Sequence, residues 1–337
     1  MSQTLKIAIP MAGLGTRMRP HTWSKPKPLI ALAGHTVLDY VVDQFNTLPE
    51  PENVEFIFIV GPNQGSQVAA HMQQFHPDKV VHFVVQEQMR GQSDALFLAR
   101  EHLHGPMLMA FSDTLIGSDL SVLQSPDFEA AAWVKSVPDP RRFGVAQVNE
   151  QGWVTRLVEK PQGMDNNLAL VGFYYFSEGA RLIDAIEEQM RLDLTLKGEY
   201  FLTDAINLML NRGLRMRTRE VDYWLDAGVP EALLETNRFL LENGHDNSEK
   251  AVKREGVVII PPVFIHETAR VTSSVIGPYV SIAANCEIES SILSNSILEE
   301  DTQVRHFILD DSLLGRQVQV QGQVMKLNLG DNSWTMR

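Results

Sequence analysis

Short apolar runs alternate with amphipathic stretches from the start of the chain to about Phe239. The apolar runs have the length of strands, and the amphipathic stretches place their apolar residues at helical spacing. The predicted strands cover residues 5–9, 55–60, 80–86 and 106–113, and the predicted helices cover residues 36–45, 66–75 and 93–103. This alternation is typical of βα units around a mostly parallel sheet.

The middle of the chain has a different pattern. The predicted elements there are a hairpin over residues 143–161 that turns at Glu150–Gly152, a strand over 168–177, and helices over 179–190 and 200–210. Adjacent strands joined by a tight turn run antiparallel. We therefore predict an α/β fold class for residues 1–241, a Rossmann-like mixed sheet domain with an antiparallel insertion.

A polar and charged stretch over residues 242–256 is interpreted as a linker, and residues 257–330 have a new rhythm. Apolar residues there fall on a six-residue ladder, with small, polar or turn-forming residues between them; the ladder residues are Ile265, Val271, Ile282 and Ile288, with Ile276 one residue out of register. A hexapeptide period is typical of a left-handed parallel β-helix. A β-sandwich of short strands is the alternative, and the absence of helical spacing over several turns favours the β-helix.

Composition restricts the class of protein. A chain of 337 residues exceeds what one hydrophobic core normally serves, which favours two domains. The net charge of −13 argues against nucleic-acid and acidic-membrane partners, which both require a basic surface. The single cysteine, Cys286, excludes an intrachain disulfide and suits a reducing compartment. Since neither a membrane span nor a signal peptide is recognisable, we expect a soluble cytoplasmic protein.

The candidate chemistry begins in the loop PMAGLGTRMRPHTWSKPKPLIAL at residues 10–32. Residues 1–38 contain no Asp or Glu, although the protein as a whole is acidic. The two glycines allow close backbone approach to a phosphate, and arginine and lysine side chains supply positive charge. The loop lacks the third glycine of a dinucleotide-binding fingerprint and the Gly-Lys-Ser/Thr of a P-loop. The alternative is a glycine turn with solvated lysines, but the cluster without acids favours an anion site; its cations are Lys6, Arg17, Arg19, Lys25 and Lys27.

This loop resembles the signature of the sugar-1-phosphate nucleotidylyltransferases, such as the glucose-1-phosphate thymidylyl- and uridylyltransferases. The resemblance continues in the family's order over about residues 3–240, and the hexapeptide tail is similar to the C-terminal β-helix of many such enzymes. The further matching segments are QEQMRGQSDAL, FSD, FGVAQV, VEKP, VGFYYF, GEYFLTDAI and WLDAGVPEALLETN.

The resemblance implies a nucleoside triphosphate held by the glycine loop, with Arg17 on its phosphates. It implies a catalytic lysine at Lys27, with Lys25 as an auxiliary cation. Gln86 and Gly91 are implied to read the edge of a pyrimidine, since an amide carries both a donor and an acceptor. A solvated strand end is the alternative for Gln86. The loop positions implied in nucleotide binding are Ala12, Gly13, Gly15, Thr16, Arg17 and Lys27.

Two distant aspartates match the family's metal positions. The resemblance implies that Asp113 and Asp226 converge to hold Mg²⁺ against phosphate oxygens, because this ion prefers few protein ligands plus phosphate. A lone aspartate at a strand end more often caps a turn. Ser112 departs from the glycine usual in relatives, which puts the width of the nucleotide pocket in doubt. The ten histidines show no metal-ligand spacing and receive no role.

The sugar side is implied by the segment VEKP and by two glycines. Lys160 is implied to hold the sugar phosphate and Glu159 to accept hydrogen bonds from sugar hydroxyls. Gly144 and Gly172 match positions where the backbone approaches the sugar. Taken alone, Glu-Lys-Pro is an ordinary surface tripeptide.

The implied reaction joins a nucleoside triphosphate to a sugar 1-phosphate and releases pyrophosphate, with Arg17, Lys27, Lys160 and Asp113 as catalytic residues. The favoured substrates are dTTP or UTP and glucose 1-phosphate; a purine nucleotide and an amino or deoxy sugar stay open. One rival is a regulatory subunit of the same fold. Another is acyl transfer in the β-helix, where His266 and His306 lie. We interpret the β-helix as an oligomerisation or stabilising element and expect a homo-oligomer.

Overall fold

The protein is described by a computed structural model that covers residues 3–124, 127–251, 256–324 and 326–334. Residues Met1–Ile30 and Thr36–Ala232 form one compact unit, and residues Ala31–His35 and Leu233–Arg337 form a second. The predicted linker includes residues 252–255, which lie outside the described residues.

Thirteen strands are found among the described residues before residue 227. They are β1 Leu5–Pro10, β2 Ala31–Leu32, β3 His35–Thr36, β4 Val54–Val60, β5 Val80–Val85, β6 Met107–Ala110, β7 Thr114–Ile116, β8 Ala130–Ser136, β9 Gly144–Val148, β10 Val154–Glu159, β11 Leu168–Phe176, β12 Met216–Glu220 and β13 Trp224–Asp226.

The α-helices are α1 Val37–Asp43, α2 Gly65–Phe75, α3 Gln92–Leu98, α4 Gly179–Arg191, α5 Leu202–Asn211, α6 Pro230–Leu240 and α7 Ser248–Ala251. Short 3₁₀ helices cover Thr16–Met18, Lys27–Leu29, Gln44–Thr47, Arg100–His102 and Leu120–Gln124, and a π-type turn covers Leu241–His245.

The first unit is built on a nine-stranded mixed sheet. Strands β5, β4, β1 and β6 lie side by side in parallel, and β11 continues the sheet antiparallel to β6. Strand β11 also pairs with β9 and β8, while β10 pairs with β9 and β12 pairs with β8. The core contains the fully buried rings of Phe56, Phe58, Trp133 and Phe173. The predicted α/β class with an antiparallel insertion is confirmed.

The parallel arrangement determines where a site can form. The chain leaves β1, β4, β5 and β6 at the same edge of the sheet, because these strands run in one direction. The segments that follow them are the glycine loop, residues 61–64, Gln86 and residues 111–113. The carboxyl edge of an open parallel sheet is the usual location of ligand sites.

Several elements of the first unit lie outside the predicted ones. They include β8, with the sequence AAAWVKS, together with β7 and β12. Alanine is uncommon in strands, so β8 is determined mainly by its neighbours β11 and β12. All of its first five residues are buried, as expected of a strand inside a sheet.

Within the second unit, the described residues after 256 form twelve short strands in three parallel sheets of four strands each. They are β14 Val258–Ile259, β15 Val263–Ile265, β16 Arg270–Thr272, β17 Val275–Ile276, β18 Val280–Ile282, β19 Glu287–Glu289, β20 Ile292–Leu293, β21 Ile297–Leu298, β22 Gln303–Arg305, β23 Ile308–Leu309, β24 Leu313–Leu314 and β25 Gln319–Gln321. Successive strands of the chain belong to successive sheets. The predicted left-handed β-helix is confirmed.

The five residues of the predicted ladder all lie in the core of this β-helix. Each coil, however, contains fewer residues than the 18 of three hexapeptides. Val258 pairs with Val275, 17 residues later, and Ile292 pairs with Ile308, 16 residues later. A missing residue at a corner shortens a coil without moving its interior positions, which accounts for the slips in the six-residue pattern.

Part of the predicted linker is folded within the second unit. Helix α7 occupies Ser248–Ala251, and the amide of Asn247 exchanges hydrogen bonds with the backbone of Ile265, at 3.0 and 2.9 Å. The segment is therefore held against β15.

Candidate active site

The glycine loop begins directly after β1. Gly15 has a φ of +58°, a left-handed conformation that favours glycine, and it precedes the 3₁₀ turn Thr16–Met18. A side chain at Gly15 would contact Thr22 and Lys27, whereas a side chain at Gly13 would meet open space. Arg17 and Thr16 are exposed, and Ala12 is buried beneath the loop. The loop thus presents backbone and a guanidinium to solvent.

Gln64 holds this loop in place, a contact that the sequence does not reveal. Its Nε2 donates to the carbonyl oxygen of Gly13 at 3.2 Å, and its Oε1 accepts from the backbone N–H of Gly61 at 2.9 Å. One amide therefore ties the loop after β1 to the segment after β4. Only a search for a side chain with both a donor and an acceptor near that edge could have suggested it.

Lys27 forms a salt bridge with Asp113 through its Nζ and the carboxylate Oδ2. The side chains are 11% and 24% exposed, so the pair is largely shielded from water. Lys27 begins a 3₁₀ turn after Pro26, and Asp113 follows the end of β6 by three residues. Lys25, the expected auxiliary cation, is buried. The cation implied as catalytic and the carboxylate implied as a metal ligand therefore meet.

Strand pairing brings Asp226 to the same place. Strand β13 pairs antiparallel with β7, which sets Asp226 opposite Thr114, and the N–H of Ala227 donates to the carbonyl oxygen of Asp113 at 2.9 Å. Burial raises the pKa of Asp226, and the nearby charge of Asp113 raises it further. The positive charges of Lys27 and Arg17, and a 2.7 Å bond from the N–H of Gly228, oppose that rise.

Two carboxylates that repel each other beside two cations form a site suited to a divalent cation and phosphate. Asp113 and Asp226 offer hard oxygen ligands from neighbouring segments, and the charge of Asp113 adds to the rise that burial causes in the pKa of Asp226. A bound Mg²⁺ relieves that repulsion. The donor set therefore fits the ion that the sequence implied.

The sugar-side residues lie together on the hairpin of β9 and β10. Gly144 pairs with Glu159 across the two strands, and a side chain at Gly144 would contact Glu159 Oε2 at 3.0 Å. Lys160 adopts a left-handed φ of +47°, and its Nζ lies 3.8 Å from Glu159 and 4.8 Å from the centre of the Phe201 ring. Burial raises the pKa of Glu159, the charge of Lys160 opposes this, and Asp204 adds to it.

Gly172 is explained by a neighbouring ring. Its φ is +81°, and any side chain there would overlap Phe111. The N–H of Phe111 donates to the carbonyl oxygen of Gly172 at 3.1 Å, where the pairing of β11 is irregular. This glycine fixes Phe111, two residues before Asp113, and its role in contacting the sugar stays a prediction.

Two aromatic rings connect the sugar-side hairpin to the paired aspartates. Phe143, next to Gly144, meets Trp224 edge to face at a centroid distance of 5.0 Å. Trp224 lies in β13, two residues before Asp226. Edge-to-face ring pairs of this kind contribute about 0.5–1.5 kcal/mol beyond their buried area.

Gln86 follows β5, and its amide has a fixed orientation. Its Nε2 donates to Asp94 Oδ2 at 2.8 Å and to the carbonyl oxygen of Gly91 at 3.2 Å. A carboxylate only accepts hydrogen bonds, so Asp94 decides which end of the amide faces it. Arg90 donates to the other oxygen of Asp94 at 2.6 Å. Both N–H groups of the Gln86 side chain thus bond within the protein. The amide therefore differs from the expected one, which offers a donor as well as an acceptor to the edge of a pyrimidine.

Gly91 allows the backbone of Tyr200 to approach closely. It has a φ of +104°, and a side chain there would lie 2.5 Å from the carbonyl oxygen of Tyr200. Asp94 sits in the first turn of α3, which begins after Gly91. The short interval from Gly91 to Asp94 is the only sequence signal for the orienting carboxylate, and the sequence alone does not distinguish it from a capping residue.

The sequence model of the nucleotidyl transferase family matches residues 8–243, which is more than half of the chain. The chain belongs to this family. The nucleotidyltransferase is 30% identical over 360 residues to the low-salt glycan biosynthesis nucleotidyltransferase Agl11 of Haloferax volcanii, covering 95% of this chain and 97% of that protein. It is also 30% identical over 364 residues to a glucose-1-phosphate thymidylyltransferase of Streptomyces antibioticus, covering 98% of both.

Among solved structures, the nucleotidyltransferase is similar to UDP-glucose pyrophosphorylase complexed with UDP-glucose. The TM-score is 0.59 at 20% identity, with 72% of this chain and 100% of the other covered. At this identity the likeness shows the fold. Among the described residues, the nucleotidyltransferase has no helix that is both long enough and apolar enough to cross a membrane.

Proposed function

We propose that this nucleotidyltransferase converts a pyrimidine nucleoside triphosphate and a sugar 1-phosphate into an NDP-sugar and pyrophosphate. A phosphate oxygen of the sugar 1-phosphate attacks the α-phosphorus in line, and the bond from that phosphorus to the β-phosphate oxygen breaks. The nucleophile is already an anion, so no general base is needed. The protein has to position two polyanions and balance the charge that develops between them.

The cluster of Lys27, Arg17, Asp113 and Asp226 carries this proposal. Arg17 is exposed at the end of the glycine loop and offers a planar fork for phosphate oxygens. Lys27 is held at the same edge by Asp113 and offers a compact point charge. Removal of one such contact typically lowers the rate by on the order of a hundredfold or more.

Asp113 and Asp226 are the residues that would hold Mg²⁺. This ion, when bound, supplies charge neutralisation at phosphate oxygens. The chain itself contributes the antiparallel pairing of β7 and β13. This pairing sets Asp226 opposite Thr114, the residue that follows Asp113. Removal of either carboxylate should therefore abolish the metal dependence together with the activity.

Gln86 supports a preference for uracil and thymine. Because Asp94 and Gly91 use both of its N–H groups, its Oε1 is the atom left to contact a base, and among the described residues Oε1 has no hydrogen-bond partner. An acceptor pairs with the N3–H of uracil or thymine and opposes the N3 lone pair of cytosine. We therefore favour dTTP and UTP over CTP.

Glu159 and Lys160 support a sugar phosphate on the β9–β10 hairpin. Lys160 provides a half-exposed ammonium, and the less exposed carboxylate of Glu159 can accept hydrogen bonds from hydroxyls. Glucose 1-phosphate is the favoured sugar phosphate because a relative that aligns with 98% of this chain is a glucose-1-phosphate thymidylyltransferase.

We also propose that the β-helix mediates a homo-oligomer. One of its sheets carries an outward row of exposed apolar residues in register, namely Val258, Ile292 and Ile308. Ile308→Glu should shift the molar mass from light scattering toward the monomer, whereas an unchanged mass would exclude this sheet as the interface.

The substrates are tested by pyrophosphate release with glucose 1-phosphate and each of dTTP, UTP, CTP, ATP and GTP. We expect release with dTTP or UTP, abolished by EDTA and restored by Mg²⁺. Release with CTP alone would contradict the base preference. If no nucleotide gives pyrophosphate, even with galactose, glucosamine and deoxy-sugar 1-phosphates, the result would favour the regulatory alternative.

A further inference from the structure

A second group of metal-ligating side chains lies in the first unit, apart from the cluster of Lys27, Asp113 and Asp226. Asp39 of α1, His71 of α2 and His76 directly after α2 bring three possible ligand atoms within 4.8 Å of one another. Their side chains are 8%, 10% and 11% exposed. Spacing along the sequence does not reveal this group, because Asp39 is distant in the chain from the two histidines.

Both imidazoles point at the same oxygen atom. His71 Nε2 lies 2.7 Å from Asp39 Oδ1, and His76 Nε2 lies 2.8 Å from it. A single aspartate and a single histidine would suffice to fix α1 to α2 by a hydrogen bond. Three ligand atoms that converge on one point are instead the arrangement in which a metal ion is held.

The carboxylate is already fixed on its other side. Asp39 Oδ2 accepts hydrogen bonds from the N–H of Thr36 at 2.7 Å and from its hydroxyl at 2.8 Å, as part of the capping box of α1. Outer hydrogen bonds of this kind orient a ligating carboxylate. Oδ1 is thereby directed toward the two rings, and the ring of Phe75 packs against His71 at a centroid distance of 4.7 Å.

The ligand types identify the class of ion. Two imidazole nitrogens with one carboxylate oxygen suit zinc and neighbouring transition metals, whereas Mg²⁺ prefers oxygen ligands. Tetrahedral zinc with bonds of about 2.0–2.1 Å separates its ligand atoms by about 3.4 Å. The two rings therefore need to withdraw from Oδ1 by about 0.6–0.7 Å to admit the ion.

We propose that Asp39, His71 and His76 form a zinc-class metal site that joins α1 to α2. Three protein ligands leave a fourth position for water. The site holds a structural ion and is separate from the Mg²⁺ of the reaction, since none of its ligands belongs to the catalytic cluster. Its ion should stabilise the folded protein by a free energy that grows with the logarithm of its affinity.

The test uses the full chain, stripped of metal with a chelator and titrated with Zn²⁺ calorimetrically in excess Mg²⁺. We expect one equivalent of Zn²⁺, a rise in Tm on binding, and a visible absorption band with Co²⁺ typical of nitrogen and oxygen ligands. His71→Ala and His76→Ala should each weaken Zn²⁺ binding at least a hundredfold. Thr36→Val should weaken it about tenfold to a hundredfold, since it removes the hydroxyl that donates to Asp39 Oδ2, helps to cap α1 and lies 3.3 Å from His71 Nε2.

His82→Ala is the matched control, because His82 also bonds to a carboxylate, Glu55 at 3.1 Å, but without a second histidine on that oxygen. It should bind Zn²⁺ like the wild type, as should Asp113→Asn. Should an alanine variant misfold by circular dichroism, His71→Gln and His76→Gln replace it. Absence of Zn²⁺ binding by the wild type, or unchanged binding in the folded His71 and His76 variants, would overturn the proposal.

Discussion

Lys27 and Asp113, 86 residues apart in the chain, form a shielded salt bridge at the carboxyl edge of the parallel sheet. The lysine comes from the turn that follows the glycine loop, and the aspartate comes from the end of β6. Asp226 lies beside them through the pairing of β7 with β13. A cation and two carboxylates from three segments are thus assembled before any substrate arrives.

This pair predicts a specific pattern of losses. Lys27→Ala should lower kcat/KM by on the order of a hundredfold or more. It should also lower stability by about 3–5 kcal/mol, because the largely buried Asp113 is left without its counter-charge. Denaturant unfolding should then show that Lys27→Ala/Asp113→Ala is more stable than Lys27→Ala.

Lys79→Ala is the control for that series. Its ammonium pairs with the exposed Asp78 at 3.4 Å, and neither residue belongs to the cluster of Lys27, Asp113 and Asp226. Surface pairs of this kind contribute about 0–1 kcal/mol. A Lys27→Ala enzyme as active as Lys79→Ala would remove Lys27 from the mechanism.

Gly172→Ala should destabilise the protein through Phe111. Gly198 has the same φ of +81° but no atom near the position of an added side chain, so Gly198→Ala measures the backbone cost alone. The overlap with Phe111 should add about 1–3 kcal/mol to the loss in Gly172→Ala. Urea unfolding of both variants gives the difference, and Phe111→Ala in the Gly172→Ala background should recover part of it. Equal losses in the two glycine variants would mean that Phe111 moves aside without cost.

Glu159→Gln should change the pH dependence of stability. The raised pKa of Glu159, caused mainly by burial, means that the folded protein binds this proton more tightly than the unfolded chain does. The contribution of Glu159 to the free energy of unfolding is therefore fully present at acidic pH, and it is lost as the pH rises through the raised pKa. We therefore compare the free energies of unfolding of Glu159→Gln and the wild type by thermal or urea unfolding. The difference in favour of Glu159→Gln should be larger at pH 7 than at pH 4.

The same variant should bind the sugar phosphate less well. Removal of the carboxylate charge weakens hydrogen bonds to sugar hydroxyls, so KM for the sugar 1-phosphate should rise while KM for the nucleotide stays constant. A stability difference that does not vary with pH would show that Glu159 ionises normally in the folded protein. An unchanged KM would separate Glu159 from the sugar.

Asp94→Asn should alter recognition of the base through Gln86. An asparagine both donates and accepts, so it no longer dictates the orientation of the Gln86 amide. We expect KM for dTTP or UTP to rise about tenfold, the equivalent of one hydrogen bond, and discrimination against CTP to narrow. Arg90→Gln is the control, because it removes the salt bridge to Asp94 and leaves the bond from Gln86. Equal selectivity in the two variants would contradict the orienting role of Asp94.

The periodicity of the chain predicts the central strands and helices of the first unit and the repeat class of the second. It predicts β1, β4, β5 and β6 from their apolar runs; β4 and β6 are almost wholly buried inside the sheet, whereas β5 is an edge strand without a buried residue. It does not predict β8, whose alanines become a strand only between β11 and β12. It also gives a six-residue period to coils that take 16 or 17 residues.

The candidate site is predicted unevenly for a physical reason. Arg17, Lys27, Asp113 and Asp226 occur in ordered motifs that resemble a known family, and the structure assembles them into one cluster. Gln64 and Asp94 have no such signature, since each acts by orienting another group through hydrogen bonds formed only in the folded chain. Contacts between distant segments require the coordinates.

The most direct test of the central claim follows the α-phosphate. The purified protein is incubated with Mg²⁺, glucose 1-phosphate and dTTP or UTP that carries the label at the α-phosphorus. We predict that the label appears in an NDP-sugar, with one pyrophosphate released per labelled product. Label that stays in the triphosphate, or appears in free nucleoside monophosphate with no NDP-sugar, would contradict nucleotidyl transfer to the sugar phosphate.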